Sequence, residues 1–551
     1  MIHQRKLFFL IPATLLITST LMGQSPNPSL GEANRAVRFE QFQKAKTLLN
    51  AISGPVAYYF LGDVYFKEGA LDSADQFFNK ALSTDPTSPF GYIGLGRMKM
   101  SSGLVDEARS QFAKANSLLA NNYYAMIELG KAYIEDPSHT KEADANAAIT
   151  ILTKAANMKL KVEPVYLALG DAYLAKPDGE NAAKNYNLAI VSNPSSAEPY
   201  AKFAKLFRSA RNSVVSLNYA SQGIAKDPNF GPIYREQAET FRASNKYAEA
   251  VNSYEKYLSL TDRSINSRVR YIQFLYLDGN YDKANAELSN LKSILKGNFS
   301  STPAMYRLDA ISKYELGTKN KDMKMLSEGL VSEQKLFAQK IVKPLAIDYT
   351  YLGKLYRANG NDSLAIKTLE QAVIQDSAHA EEIYPSLIDL YLSKRKYKEA
   401  AAIYSKKIDH GDTSINNYVP FAFYTYRAGD TSQFRKADLF LEKVTTKKPS
   451  YVDAWVYRGY LNAALDPETK TDKAQPFFQK VIDLSGSDSS FQKKITSSAR
   501  YKTFLINAYE YMLYNKFKKK DKAQTKIMAE KLKELDPNNA KAEAYLKQKE
   551  N

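Results

Sequence analysis

The chain has 551 residues, of which 44% are hydrophobic and 25% are charged, and its formal net charge at pH 7 is +17. It is too long for one compact core, unless its units bury their apolar faces only on their neighbours, as in a repeat solenoid. It contains no cysteine, which excludes disulfides, thiolate metal sites, cysteine nucleophiles and the lipidated cysteine of a lipoprotein.

The first residues have the character of a secretory signal peptide. Positive charges at Arg5 and Lys6 precede a short apolar run that extends to Ile17. We expect cleavage after Gly23, and the alternative is an uncleaved N-terminal anchor. Removal of residues 1–23 would lower the net charge from +17 to +15. That excess favours acidic partners, such as anionic lipid headgroups, acidic polysaccharide or an acidic protein face.

A repeated pattern of apolar and small residues follows this segment. In its clearest copy, at 55–86, Gly62 lies in a first apolar stretch, Ala74 and Phe78 lie in a second, and Pro86 closes the unit. This spacing predicts two short antiparallel helices, because the small residues let two backbones approach and the aromatic ring falls on a buried face. The proline ends the second helix, since it lacks the amide that a continuing helix needs.

The same frame recurs along most of the chain. The positions that we predict to be structural are Gly62, Ala74, Pro86, Gly96, Ala108, Gly130, Gly170, Ala182, Pro194, Gly353, Ala365 and Gly459. With a period of about 34 residues, the pattern resembles the tetratricopeptide repeat. The resemblance implies an all-α solenoid of helix-turn-helix repeats, coiled into a right-handed superhelix of about 13 repeats.

Breaks in the frame predict the domain organisation. The frame is hardest to follow around Gly297, where a polar stretch is punctuated by glycine and proline. This region is either a joint between two solenoids or a long loop within one continuous superhelix. The predicted segments are a signal peptide at 1–23, an N-terminal capping half-repeat at 24–54, an N-terminal solenoid at 55–295, an irregular helical joint at 296–345, a C-terminal solenoid at 346–485, and C-terminal helices with a cap at 486–551.

No group of residues predicts catalysis, a metal site or a cofactor site. The histidines are far apart in sequence and fall in the signal peptide, in turns or at helix ends. They are His3, His139, His379 and His410. The glycine-rich stretch at 91–96 lies within a predicted repeat helix and follows no strand, so a phosphate-binding loop is not expected. The sequence therefore predicts a protein that is not an enzyme and binds neither metal nor cofactor.

A basic run near the C-terminus is interleaved with aromatic residues. Its lysines are Lys516, Lys518, Lys519 and Lys520. Basic residues alternating with rings can bind nucleic acid, but an exported protein seldom meets it. We expect a solvated turn between two helices, with contact to an anionic surface as the alternative.

The resemblance also implies where a partner would bind. In tetratricopeptide repeat proteins the first helix of each repeat lines the concave face of the superhelix. The positions that the resemblance places in this groove are Tyr59, Asp63, Arg97, Lys131, Asp171, Lys205, Glu239, Lys354 and Asp389. Their mixture of rings and alternating charges suits an extended peptide or a partner helix.

Together these features predict a non-catalytic, protein-binding scaffold of the Gram-negative cell envelope that serves secretion, motility or envelope assembly. We expect it to be periplasmic or associated with the outer membrane after signal cleavage. The alternative is a glycan-binding component of an outer-membrane nutrient-uptake system, but a single tryptophan and the lack of cysteine argue against it. A hydrolase within residues 291–342 is a weaker hypothesis, because that segment has no histidine.

Overall fold

The computed structural model describes residues 28–158, 162–296, 304–339 and 343–547. The predicted signal peptide and the break around Gly297 lie outside these residues. All regular secondary structure in the described ranges is helical. None of the described helices combines the length and the apolar character needed to cross a bilayer.

The chain divides into two compact units, Met1–Ser312 and Lys313–Asn551. The helices of the first unit are α1 (Pro28–Arg38), α2 (Phe42–Asn50), α3 (Pro55–Glu68), α4 (Leu71–Thr84), α5 (Pro89–Ser101), α6 (Val105–Ser117), α7 (Tyr123–Tyr133), α8 (Glu142–Ala156), α9 (Glu163–Ala175), α10 (Gly179–Ser192), α11 (Glu198–Ser209), α12 (Ser213–Lys226), α13 (Gly231–Ala243), α14 (Tyr247–Leu260), α15 (Ile265–Leu277) and α16 (Tyr281–Ile294).

The boundary between the units falls within the next helix, α17. The remaining helices are α17 (Ala304–Asn320), α18 (Met323–Phe337), α19 (Ala346–Ala358), α20 (Asp362–Gln375), α21 (Ala380–Ser393), α22 (Tyr397–Asp409), α23 (Ile415–Ala428), α24 (Phe434–Lys447), α25 (Val452–Leu465), α26 (Gln475–Ser487), α27 (Ser489–Ser497), α28 (Ala499–Lys518), α29 (Lys522–Leu535) and α30 (Ala540–Lys547). Short 3₁₀ helices at Ser377–His379 and Thr431–Gln433 precede α21 and α24. The segment 296–345, predicted as an irregular joint, thus contains two long helices.

Within each unit the helices pack in successive pairs. In the first unit α3 packs on α4 and α4 packs on α5, and the same alternation continues along the chain. First helices of neighbouring pairs also contact one another, as α3 does with α5, α5 with α7 and α7 with α9. Because the first helices approach each other more closely than the second helices do, they form the inner side of the curved stack. The predicted all-α solenoid is confirmed.

The repeat glycines mark the closest approach of the two helices in a pair. A Cβ added to Gly170 would lie 2.2 Å from a ring carbon of Tyr186, and one added to Gly62 would lie 2.5 Å from Phe78. A side chain larger than hydrogen therefore requires the ring to move, although the ring is fully buried. The same contact occurs between Gly459 and Phe478 in the second unit.

Other repeat positions lie at helix contacts or just beyond helix ends. Ala74 and Ala365 are fully buried where the second helix of a pair faces its neighbours. Pro86 and Pro194 lie just beyond the ends of α4 and α10, where the preceding residue has left the helical conformation. The capping segment at 24–54 forms α1 and the shortened helix α2, whose apolar residues join a core that continues through α9.

We expect Gly459→Ala to destabilise the second unit by roughly 1–3 kcal/mol, because a new methyl group would be forced against a packed ring. The distance from that methyl carbon to the Phe478 ring would be 2.7 Å. The matched control is Gly486→Ala in the paired helix α26, where the added Cβ would meet open space. It should leave stability unchanged or raise it by about 0.5–1 kcal/mol. Urea unfolding followed by circular dichroism measures both variants, and similar effects from the two would contradict the close-approach explanation.

Candidate functional site

The inner side of the first unit forms a large cavity that is open to solvent. Its volume is about 1590 Å³, and its lining comes mainly from the first helices α1, α3, α5, α7, α9, α11, α13 and α15. Most of the predicted groove positions of this unit line it, namely Tyr59, Asp63, Arg97, Lys131, Asp171 and Lys205. A cavity of this size, bordered by a few charged and aromatic side chains, is large enough for a segment of another chain.

The remaining predicted groove positions lie elsewhere. Glu239, on α13, accepts hydrogen bonds from the guanidinium of Arg270 on α15 at 2.6 Å. In the second unit, the Lys354 ammonium lies 4.8 Å from the centre of the Tyr351 ring, and Asp389 pairs with Arg357 at 3.6 Å. A role in partner binding stays a prediction for all of these positions.

An ion-pair cluster forms the floor of the cavity. Arg97 donates to Asp63 at 2.8 Å and to Glu135 at 2.6 Å, and Lys67 reaches the other oxygen of Asp63 at 2.7 Å. Asp63 and Arg97 are only 2% and 4% exposed. Burial alone would raise the pKa of Asp63, but the two cations outweigh it and hold that pKa well below its usual range. The charges of Asp63 and Arg97 are therefore already paired within the fold.

Tyr59 extends this cluster towards α7. Its ring is completely buried, and its hydroxyl donates to Glu128 at 3.0 Å while accepting from Arg97 at 3.3 Å. Glu128 also pairs with Lys131 at 2.8 Å. Tyr59 thus presents no free ring face to a ligand, whereas Lys131 keeps an exposed side chain at the cavity wall.

Polar contacts of the same kind connect the later pairs. Lys202 on α11 reaches Asp171 on α9 at 2.6 Å, and the Tyr186 hydroxyl donates to the same carboxylate at 2.9 Å. Lys205, one turn further along α11, is exposed and forms no ion pair within the described ranges. Of the predicted groove positions, Lys205 is therefore the most available to an acidic ligand group.

The turn of the first helix pair contacts helices α9, α11 and α13 across the inner side of the first unit. Arg38, at the end of α1, pairs with Glu163 at the start of α9 at 3.1 Å and with Glu198 at the start of α11. Glu40 pairs with Arg235 on α13 and accepts a hydrogen bond from the Tyr257 hydroxyl. Burial alone would raise the pKa of Glu40, but Arg235 and that hydroxyl outweigh it and lower the pKa.

Backbone groups complete this closure. The amide of Asp262 donates to the Glu40 carbonyl at 3.0 Å, and the Asp262 carboxylate accepts from the Gln43 amide at 2.7 Å. The Phe39 and Phe230 rings meet edge to face, with their centres 5.1 Å apart. We call this set of contacts, between residues 35–43 and residues 163–262, the seam. It converts the groove of the first unit into a ring.

The seam was not predicted from the sequence. Its partners are more than a hundred residues apart along the chain, and no local pattern pairs them. Glu40 lies in a short turn with a φ of 56°, but Arg211, Asn245 and Arg395 have the same left-handed conformation in the turns of other helix pairs. This turn is therefore a recurring feature of the repeat and does not mark the seam.

The remaining sequence features lie outside the cavity. His139 and His379 each pair with an aspartate three residues earlier, at 2.9 and 2.8 Å. No group of three or more potential metal ligands occurs within the described ranges. The single tryptophan, Trp455, donates its indole N–H to the Pro449 carbonyl at 2.8 Å and packs near Phe477. Its ring is therefore part of the packing between helices.

The basic run lies at the end of α28 and in the turn before α29. Lys516 and Lys518 belong to the last turn of the helix, and Lys519 and Lys520 follow it. Lys519 pairs with Asp472, while Lys518 and Lys520 are exposed. Contact of this turn with an anionic surface stays a prediction.

We expect Arg97→Gln to lower the free energy of unfolding of the first unit by roughly 3–5 kcal/mol, because it removes one of the two cations that pair with the buried Asp63 and also the partner of Glu135. The matched control is Lys99→Gln on the same helix, since Lys99 pairs with Glu107 on the exposed surface. Its effect should stay within about 1 kcal/mol. Denaturant unfolding of both variants tests this. An Arg97 variant as stable as the control would mean that the cluster does not hold the floor of the cavity together.

Comparison with known proteins gives a match to one family. Residues 55–88 match the model of the tetratricopeptide repeat, and no curated protein matches the chain. Among similar solved structures, the C-terminal part of a TPR repeat-containing protein from Cytophaga hutchinsonii has 27% identity and a TM-score of 0.34, and the match covers 50% of this chain and 99% of that one. A tetratricopeptide repeat protein from Parabacteroides merdae has 17% identity and a TM-score of 0.32, with coverage of 49% and 98%. A TPR protein from Thermus thermophilus has 19% identity and a TM-score of 0.26, with coverage of 40% and 100%.

The match at residues 55–88 corresponds to the pair α3 and α4. The contact that defines this pair, between Gly62 and Phe78, recurs as Gly170 with Tyr186 and as Gly459 with Phe478. The matched segment is thus a tetratricopeptide repeat, and the same helix-pair contact recurs in both units.

Proposed function

We propose that the chain is a non-catalytic scaffold of the bacterial cell envelope, and that the ring of the first unit holds a segment of a partner protein. Tetratricopeptide repeats are protein-interaction scaffolds, whose stacked first helices form an extended binding surface. The observation that supports this proposal is the cavity of about 1590 Å³ along those helices.

The lining indicates the chemistry of the segment. The paired charges on the floor offer no net attraction to a polyanion. At the wall, Lys131 is exposed but paired with Glu128, whereas Lys205 presents an ammonium group that has no ion pair within the described ranges. Glu163 is 5% exposed and lines the cavity, and its Oε1 has no hydrogen-bond partner within the described ranges. A buried acceptor without a donor costs about 1–3 kcal/mol, so a ligand that supplies an N–H to it gains that energy.

An extended polypeptide fits this requirement better than a helix does. Its backbone N–H groups are free to donate along its length, whereas those of a helix interior are bonded within the helix. We therefore propose an extended segment that carries at least one acidic side chain for Lys205 and a backbone or side-chain N–H for Glu163.

Site-specific photo-crosslinking tests the position of the partner. With a photoreactive amino acid at Lys131 or Lys205, in a bacterium that naturally carries the gene, we expect both positions to capture the same protein. The matched control position is Val214 on α12, whose side chain is 81% exposed but lies on a second helix, away from the cavity. Lys205→Glu should lower capture from position 131 about tenfold, the loss expected when a favourable charge contact becomes repulsive. Capture at position 214 alone, or equal capture from all three positions, would contradict the proposal that the partner binds in the groove.

The envelope location is a separate proposal, supported by the first residues of the sequence. In a Gram-negative host, we expect the mature protein to begin at Gln24 and to appear in the periplasmic or outer-membrane fraction. Leu15→Arg interrupts the apolar run and should leave the full-length chain in the cytoplasm. Mass spectrometry of the intact N-terminus measures both outcomes. An unprocessed wild-type chain in the cytoplasm would refute export, while leaving the groove proposal standing.

A further inference from the structure

We propose that the first helix pair is a gate, which opens at the seam to admit the partner segment and then closes around it. This inference rests on the proposed function of the groove and concerns how a partner reaches it. The proposed partner segment is an internal one, flanked on both sides by folded parts that do not fit through a ring. Such a segment has to enter from the side, and the seam is where the ring of the first unit is joined non-covalently.

The two attachments of the first pair differ in character. On one side, α1 and α2 share an apolar core with α3 and the following pairs, formed by residues such as Ala33, Phe42 and Leu49. On the other side, the seam contacts within the described ranges are ion pairs, hydrogen bonds and the contact between the Phe39 and Phe230 rings. The apolar attachment is continuous with the body of the unit, whereas the seam is a row of separate polar contacts.

The seam is also the weaker attachment. The side chains of Arg38 and Arg235 are 33% and 34% exposed, whereas their partners Glu163, Glu198 and Glu40 are 5%, 19% and 20% exposed. Water reaches these pairs on the arginine side, so salt screens them in part, whereas it does not screen apolar contacts. Burial of apolar side chains contributes about 1.5–3 kcal/mol each. A local opening of the first unit therefore breaks the seam before it separates α2 from α3.

The same residues lie at the seam and in the lining of the cavity where the partner is proposed to bind. Glu163 and Glu198 belong to the seam through Arg38, and both also line the cavity. A segment that donates to the free oxygen of Glu163 contacts the seam and the groove together. Because such a segment has more contacts in the closed ring than in the open one, it shifts the population towards the closed state.

The first test measures opening of the seam in the isolated protein. The chain has no cysteine, so Lys44→Cys on α2 and Arg263→Cys beyond α14 can carry the only two spin labels, both at exposed positions. Electron–electron distance measurements should give one short distance at low salt. Combining Arg38→Gln with Glu40→Gln, or raising the salt concentration, should add a population at longer distance and increase its fraction about tenfold.

The matched control for this test is Arg268→Gln, which removes an ion pair with Glu287 away from the seam. It should leave the distance distribution unchanged. A single short distance in the double variant and at high salt would show that the seam is a fixed structural joint and would reject the gate.

The second test measures access to the cavity. A single cysteine at Lys205→Cys is exposed to a maleimide on a polyethylene glycol chain, or to the small reagent N-ethylmaleimide. The seam is locked by an oxidised pair, Gln43→Cys with Asp262→Cys, where the Gln43 backbone N–H donates to the Asp262 carboxylate at 2.7 Å in the unaltered protein. We expect locking to slow the large reagent about tenfold and the small one less than twofold, because only the large reagent requires local opening.

Equal rates of the large reagent in the locked and unlocked proteins would overturn the gate, since access would then run through the mouths of the ring. Photo-crosslinking from positions 131 and 205 would be unaffected by that result, so the gate can fail while the groove stands. Conversely, a lock that slows the large reagent, together with no partner captured at either position, would retain the gate and reject the proposed function.

Discussion

The contact between a repeat glycine and a buried side chain of the paired helix is the constraint on which the rest of the fold depends. At Gly170 the two helices approach so closely that a Cβ would lie 2.2 Å from the Tyr186 ring. That ring also has a second role, because its hydroxyl donates to Asp171, the residue after the glycine. Asp171 lines the cavity and binds Lys202 on the next first helix. One close contact thus sets the spacing within a pair and orients a charge between pairs.

Charged residues after the repeat glycines connect neighbouring repeats. Asp63 on α3 binds Arg97 on α5, and Arg97 in turn binds Glu135, which follows α7. The stability of a solenoid is the sum of the stabilities of its repeats and of the interfaces between neighbouring repeats. Each of these bonds therefore stabilises one such interface. The polar floor of the cavity therefore has a structural role. A ligand bound as proposed would meet charges that are already neutralised, and its specificity would come from the groups left over, chiefly Lys205 and the second oxygen of Glu163.

The repeat fold could be predicted from sequence because its determinants are local. Gly62, Ala74 and Phe78 lie within one helix pair, and their spacing follows from helical geometry alone. The state of Asp63 could not be predicted in the same way. Its position after the glycine indicates that it faces the groove, but whether its charge is free depends on Arg97, one repeat away. Spacing within a repeat determines which way a side chain such as Asp63 faces. Ion pairing between repeats determines whether its charge is free to bind a ligand.

The seam is even harder to predict from local sequence patterns. An N-terminal repeat of an open solenoid has a neighbour on one side only, and such terminal repeats fray most readily. Here the first pair gains a second set of neighbours through Arg38 and Glu40, so its stability depends on residues more than a hundred positions away. Those contacts form only when the intervening repeats have the curvature that their glycine contacts and ion pairs produce. A change in one repeat of the first unit can therefore alter the groove directly and also alter its closure.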